Sequence, residues 1–324
     1  MREKADLHLH LDGSLSVSLV QRLLAESGET PDTEQLKNML MVPADCRNLT
    51  DYLKCFDLPV RILQSRQALC AAGEDLTERL GKQGLTYAEI RFAPQLHTER
   101  GLTQEMAVEA VSEGIGNGLK KCPGLRAGLL LCMMVTGEPK ANEETAELAC
   151  ALKGQGVAGL DLAGAEGAVP METFRPFFRK AYAMDVPFTI HAGECGDYEN
   201  IRTAVSFGAR RIGHGCAAQY SEECMELLKR EGILLEMCPT SNLQTRAVNR
   251  IGEHPIRKFF DRGIRVSVNT DNMTVSCTDL EQEYALLKTA FGFTENEIRQ
   301  MNQWACEAGF AHCTSTTKNK FLIH

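Results

Sequence analysis

Short apolar stretches alternate with longer amphipathic ones along the whole chain. The apolar stretches cover residues 5–9, 87–92, 126–134, 159–163, 187–191, 211–214, 234–238 and 265–269. Several are unbroken apolar runs, the pattern of parallel strands covered on both faces. Between them, residues 103–119, 143–152, 174–184 and 221–229 place apolar side chains at helical spacing. Gly84, Gly124, Gly156, Gly208, Gly232 and Gly263 stand shortly before strands. An αβ turn needs a left-handed residue there to end its helix.

Strands alternating with helices describe either a closed barrel or a doubly wound open sheet. No Gly-x-Gly-x-x-Gly follows the first strand, so the dinucleotide-binding open sheet has no support. The first strand-to-strand connection is the longest, and residues 46–65 within it are rich in apolar side chains. At the top of a barrel such an insertion makes a natural lid. No repeat, low-complexity tract or linker divides the chain. A length of 324 residues suits one large α/β domain spanning residues 1–324.

A formal charge of −8 argues against the cationic field that nucleic acid or anionic lipid requires, which leaves a small molecule as ligand. The thirteen cysteines include no Cys-x-x-Cys pair, so neither a zinc ribbon nor a thioredoxin motif is present. The N-terminus shows no secretory signal, and the longest apolar run, 127–135, is too short to span a bilayer. The expectation is a cytoplasmic protein whose cysteines pack as small apolar residues. Oligomeric state stays open.

Polar, metal-competent side chains gather at strand ends. His8 and His10 are two apart on the first strand and therefore face the same way. His191 ends the fifth strand, His214 ends the sixth, and Asp271 follows the eighth. In a barrel the C-terminal strand ends converge on one mouth, where active sites of that fold lie. This favours a (β/α)₈ TIM barrel with a helical insertion after the first strand.

His8-Leu9-His10-Leu11-Asp12-Gly13, His191-Ala192-Gly193-Glu194, Gly213-His214-Gly215, Cys238-Pro239-Thr240-Ser241-Asn242 and Ser267-Val268-Asn269-Thr270-Asp271 occur in that order. Together they resemble the adenosine deaminase family, as do Glu89–Pro94 and Gly159–Gly164 between them. The resemblance implies one zinc ion per chain, held by His8, His10, His191 and Asp271. Three nitrogens and a carboxylate leave a position for water, whose pKa the metal lowers toward neutrality. The resulting hydroxide would attack C6 of a 6-aminopurine, with Glu194 as general acid to N1. His214 resembles the residue that orients the water, takes or shares its proton and steadies the developing alkoxide. Two alternatives stay open: Glu194 as a bracing carboxylate, and His214 as a fifth, weaker ligand. No lysine stands in Leu160–Gly164, where binuclear relatives carry a bridging one, so a single metal is expected. The deaminases built on Pro-Cys-x-x-Cys are excluded because that half of their signature is missing.

For the substrate, the resemblance places Asp12 at a ribose hydroxyl, Gly164 at N3 and Asn272 at N7. Asp12 and Gly164 have a plainer reading as turn residues, and Asn272 departs from the family's usual aspartate, which leaves room for a substrate altered at N7 or on the sugar. An asparagine amide donates to N7 directly, without a raised pKa. Leu53, Phe56 and Leu58 either line the lid or pack in the core. His97, His254, His312 and His324 match no catalytic string. The expected reaction is deamination of adenosine or 2′-deoxyadenosine to the inosine products. Alternatives are adenine or a modified adenine nucleoside as substrate, or a non-catalytic nucleoside-binding protein.

Overall fold

The computed structural model describes residues 3–195 and 197–311. Its strands are β1 (Ala5–His10), β2 (Tyr87–Phe92), β3 (Arg126–Met134), β4 (Val157–Ala163), β5 (Thr189–Ala192), β6 (Arg211–His214), β7 (Leu234–Met237) and β8 (Arg265–Val268). Neighbours pair in parallel within two sheets, ordered β1-β2-β3-β4 and β5-β6-β7-β8. The sheets meet at both seams through single bridges, Leu160 to Phe188 and Leu9 to Asp271. At the second seam His10 N–H donates to the Asp271 carbonyl at 2.7 Å, and Asp271 N–H to the His8 carbonyl at 2.8 Å. The result is the (β/α)₈ barrel expected from the apolar pattern.

Strand ends differ from that pattern for local reasons. β5 begins at Thr189 rather than Pro187, because proline offers no N–H to a ladder. Gly84, Gly156, Gly208, Gly232 and Gly263 take left-handed φ values from 64° to 105°. Gly124 does not. Pro123 precedes it in a tight turn closed by Leu125 N–H on the Cys122 carbonyl at 3.0 Å, and that turn needs no left-handed residue.

The insertion after β1 carries the helices Val17–Glu26, Thr33–Leu40, Leu49–Leu53 and Asp57–Ile62 before the long helix Arg66–Lys82. Ser16, Asp32, Asn48 and Ser65 start helices by accepting a backbone N–H three residues on. Two bonds pin the insertion to the loop after β8. Tyr52 Oη lies 2.7 Å from Ser276 Oγ, and Val42 N–H donates to the Val275 carbonyl at 2.9 Å. The lid is thereby tied to the segment that carries Asp271.

Leucine, isoleucine and valine fill the space between strands and helices, but the barrel interior is ionic. Arg91 and Arg211 are fully buried there. Arg91 binds Asp161 at 2.8 Å and Glu236 at 2.9 Å, and Arg211 binds Glu236 at 2.6 Å and Glu89 at 2.5 Å. Buried charges persist only when paired in this way. Among the described residues, no helix is long and apolar enough to cross a membrane.

Candidate active site

The strand ends deliver their histidines to one point. The His8 ring lies 4.5 Å from that of His191 and 4.7 Å from that of His214, and His10 is 5.3 Å from His191. Gly213 makes the convergence possible, since a Cβ there would sit 2.9 Å from His8 Cε1. Two overlapping groups could each hold a metal ion: His8, His10 and His191, or His8, His214, Cys238 and Asp271.

Carboxylates below the rings help separate these groups. His8 Nδ1 meets Glu236 Oε2 at 2.8 Å, and His191 Nδ1 meets Asp161 Oδ2 at 3.1 Å. Burial opposes ionisation of both acids. Arg211 and Arg91 nevertheless hold Glu236 well below the ordinary carboxylate range, and His191 and Arg91 do the same for Asp161. An ionised carboxylate only accepts, so each Nδ1 carries the proton and each Nε2 turns a bare lone pair inward. His8 Nε2 is buried without a hydrogen-bond partner, and the Nε2 atoms of His10 and His191 face each other at 3.2 Å. Buried lone pairs converging in this way fit a shared cation.

Asp271 adds the negative charge. Its Oδ2 accepts from Ser241 Oγ at 2.5 Å, while Oδ1 lies 3.5 Å from both His8 Nε2 and His10 Nε2. Burial opposes its ionisation, but His8 beside it holds the carboxyl well below its usual value. Cys238 does not compete for a cation. Burial pushes its thiol far up, and Sγ donates to the Glu236 carbonyl at 3.6 Å. His214 and Asp271 both have left-handed backbone, φ 63° and 58°, a strain that non-glycine residues adopt chiefly where geometry demands it.

Glu194 sits on the loop after β5, nearly buried, with Oε2 3.5 Å from His214 Nε2. Burial first, and then the charge of Asp271, raise its carboxyl to about 8. The loop itself is held by Glu166, whose carboxylate accepts the N–H groups of Gly193, Glu194 and Cys195 at 2.6, 2.8 and 2.9 Å. Burial holds His214 well below the ordinary imidazole value and therefore neutral.

A cavity of about 190 Å³ opens above this cluster, lined by His10, His191, Glu194, His214 and Asp271 on its floor. Asp12, Gly164 and Asn272 also face it, and burial raises Asp12 to about 6. Leu53 and Phe56 line the cavity from the insertion, whereas Leu58 packs in the main core. Tyr52 was not singled out by the sequence reading. It also lines the cavity, and its hydroxyl accepts from Asn272 Nδ2 at 3.1 Å. Glu236 and Glu166 carry no sequence mark either, because a carboxylate inside a strand or loop gives no spacing signal; Arg91 lies within Glu89–Pro94, a string that does not reveal its ion pairs. His97 is structural, with Nδ1 3.0 Å from the Leu63 carbonyl. His312 and His324 lie outside the described residues.

The chain is similar to known proteins. The profile of the family described as adenosine deaminase matches residues 3–322. The chain is 44% identical to an adenosine deaminase of Haemophilus ducreyi, over 98% of this chain and 94% of that protein. Among solved structures, it is similar to an adenine deaminase of Arthrobacter aurescens at 25% identity, with a TM-score of 0.84 over 94% of this chain and 93% of that one. It is also similar to an N6-methyl-AMP deaminase of Arabidopsis thaliana at 27% identity, with a TM-score of 0.83 over 95% and 92% of the two chains. The barrel, its strand-end histidines and these matches make the chain a member of the adenosine deaminase family.

Proposed function

We propose that the protein hydrolyses adenosine and 2′-deoxyadenosine to inosine and 2′-deoxyinosine with release of ammonia, as one catalytic domain over residues 1–324. The observation that carries this reading is a buried Glu194, its carboxyl pushed up to about 8, beside converging imidazole nitrogens at the floor of one cavity. The identity to an adenosine deaminase over almost the whole chain supports it.

His8, His10, His191 and Asp271 are the residues that would hold a single zinc ion, one per chain. Zinc, when bound, supplies the Lewis acidity that makes water a nucleophile near neutral pH. The rest of the chemistry falls to the chain. Glu194, protonated at neutral pH, donates to N1 as the ring loses aromaticity on attack at C6. Asp271, ionised and anchored by Ser241, accepts a hydrogen bond from the attacking water. Leu53 and Phe56 cover the base and exclude bulk water. Asp12 faces the sugar hydroxyls, Gly164 lets its backbone approach N3, and Asn272 contacts N7.

Among the described residues, the cavity lining contains no lysine or arginine, which favours a neutral nucleoside over its monophosphate. The free thiols of Cys46, Cys55, Cys132 and Cys216 suit a reducing, cytoplasmic setting. Ammonia release from adenosine, 2′-deoxyadenosine, adenine and N6-methyl-AMP, with and without a chelator, tests the proposal. Adenosine and its deoxy form are expected to be preferred, and chelation to abolish turnover. Preference for adenine or the nucleotide, or turnover that survives full metal removal, would refute it.

A further inference from the structure

Unlike the Nδ1 atoms of His8 and His191, that of His214 meets no carboxylate. Its Nδ1 lies 3.0 Å from Asn242 Nδ2. Which way that amide points decides where the His214 proton sits, and two backbone groups settle the amide. The N–H of Ile256 donates to His254 Nδ1 at 3.3 Å, so His254 carries its proton on Nε2. That Nε2–H donates to Asn242 Oδ1 at 3.1 Å. The N–H of Cys238 reaches the same oxygen at 3.4 Å, and the Cys216 thiol at 3.3 Å. A flipped amide would set its NH₂ against two N–H donors. Asn242 must therefore present Nδ2–H to His214, whose Nδ1 accepts it as a bare lone pair.

From this chain of donors we infer that Asn242 and His254 are positioning residues that hold His214 with its proton on Nε2. His214 then faces the cavity as a hydrogen-bond donor and has no lone pair with which to ligate a metal. Its catalytic meaning rests on the proposed deamination. The contrast with its neighbours is direct. Glu236 and Asp161 accept the Nδ1 protons of His8 and His191 and bare their Nε2 atoms, whereas Asn242 donates and does the reverse. Those two rings are prepared for a cation, and His214 for hydrogen bonding to the oxygen that develops on C6. All three members of the chain are buried, Asn242 at 0%, His214 at 1% and His254 at 4% exposure, so water does not scramble the order. His254 thereby gains a role that its position in the sequence gave no reason to assign.

The test is a nitrogen-15 NMR spectrum of histidine-labelled, metal-loaded enzyme, with His214 identified by loss of its signals in His214→Asn. The expected pattern is a bare Nδ1 and a protonated Nε2. A proton on Nδ1, or an Nε2 shifted by metal coordination, would overturn the inference without bearing on whether adenosine is the substrate. Asn242→Asp keeps the shape but accepts where asparagine donates, so it should move the proton to Nδ1. Its kcat should fall about a hundredfold, the scale of losing one aimed donor, with KM within about threefold of wild type. His254→Phe should cost less, since Cys238 and Cys216 still hold Oδ1. Wild-type kcat in Asn242→Asp would equally refute the assignment. Should that variant fail to fold, the wild-type spectrum and His254→Phe still decide the question.

Discussion

Replacing Glu194 by glutamine keeps the side chain's shape but removes the proton that the proposed mechanism has it donate. An ordinary glutamic acid, with its pKa near 4.5, would be about 0.3% protonated at pH 7. Raised to about 8, Glu194 is about nine-tenths protonated at that pH. Burial and the nearby Asp271 thus provide roughly three hundredfold more of the acid form. The sign of the pH effect follows. The protonated form is the active one, so kcat/KM holds below the raised pKa and falls about tenfold per pH unit above it. At pH 9 only about a tenth of the acid remains. The charge of a bound cation draws the value down, so the limb lies at or below about pH 8. Glu194→Gln should lose about 10²- to 10⁴-fold in kcat and lose this alkaline limb. The assay is the absorbance change on conversion of adenosine to inosine, in buffers from acid to alkaline, at fixed metal occupancy. A flat profile across the alkaline range, or wild-type kcat in Glu194→Gln, refutes the acid role. The same raised pKa also costs stability: as pH rises from the unfolded value toward the folded one, the unfolded chain releases this proton while the folded one keeps it, so the folded state weakens over that window. The apo form of Glu194→Gln should therefore melt higher than apo wild type at pH 9.

Four further substitutions separate ligand support, packing and lid. Asp161→Asn removes the anion that holds the His191 proton on Nδ1, and should weaken metal affinity about 10- to 100-fold in a chelator competition titration; unchanged affinity would refute the tautomer argument for the ligands. Gly213→Ala puts a Cβ 2.9 Å from His8 Cε1 and 3.2 Å from His191 Cα, so metal content after purification should fall sharply, and full occupancy would count against that crowding. Leu58→Ala should lower unfolding stability by about 2–5 kcal/mol in a denaturant titration and leave KM alone, whereas Leu53→Ala should raise KM with little loss of stability. Reversal of that pair would put Leu58, not Leu53, in the lid.

What the sequence made legible follows from which signals are periodic. Strand ends could be read because apolar runs stop where polar chemistry begins: His10, His191 and His214 each end or nearly end a strand, and Asp271 follows one. The insertion was visible as a long apolar connection, but which of its side chains face the cavity was not, because Tyr52, Leu53, Phe56 and Leu58 share one composition. With Tyr52 docked on Ser276, more than two hundred residues away, Leu53 and Phe56 line the cavity and Leu58 lies in the core. The protonation of the site was still less accessible. Whether an imidazole ligates a metal or donates a hydrogen bond depends on the partner of its other nitrogen. Those partners come from distant positions: Glu236 for His8, Asp161 for His191 and Asn242 for His214. Asp161 and Asn242 lay within recognised strings, yet a string gives residue types and not the direction in which a proton points. The buried arginines complete the logic. Arg211 with Arg91 keeps Glu236 ionised, and His191 with Arg91 keeps Asp161 ionised; an ionised carboxylate is what bares the Nε2 atoms of His8 and His191 above it. A fully buried ion network therefore sits where an apolar barrel core would be easier to fold. Its return is a metal site whose tautomers are set before any metal arrives.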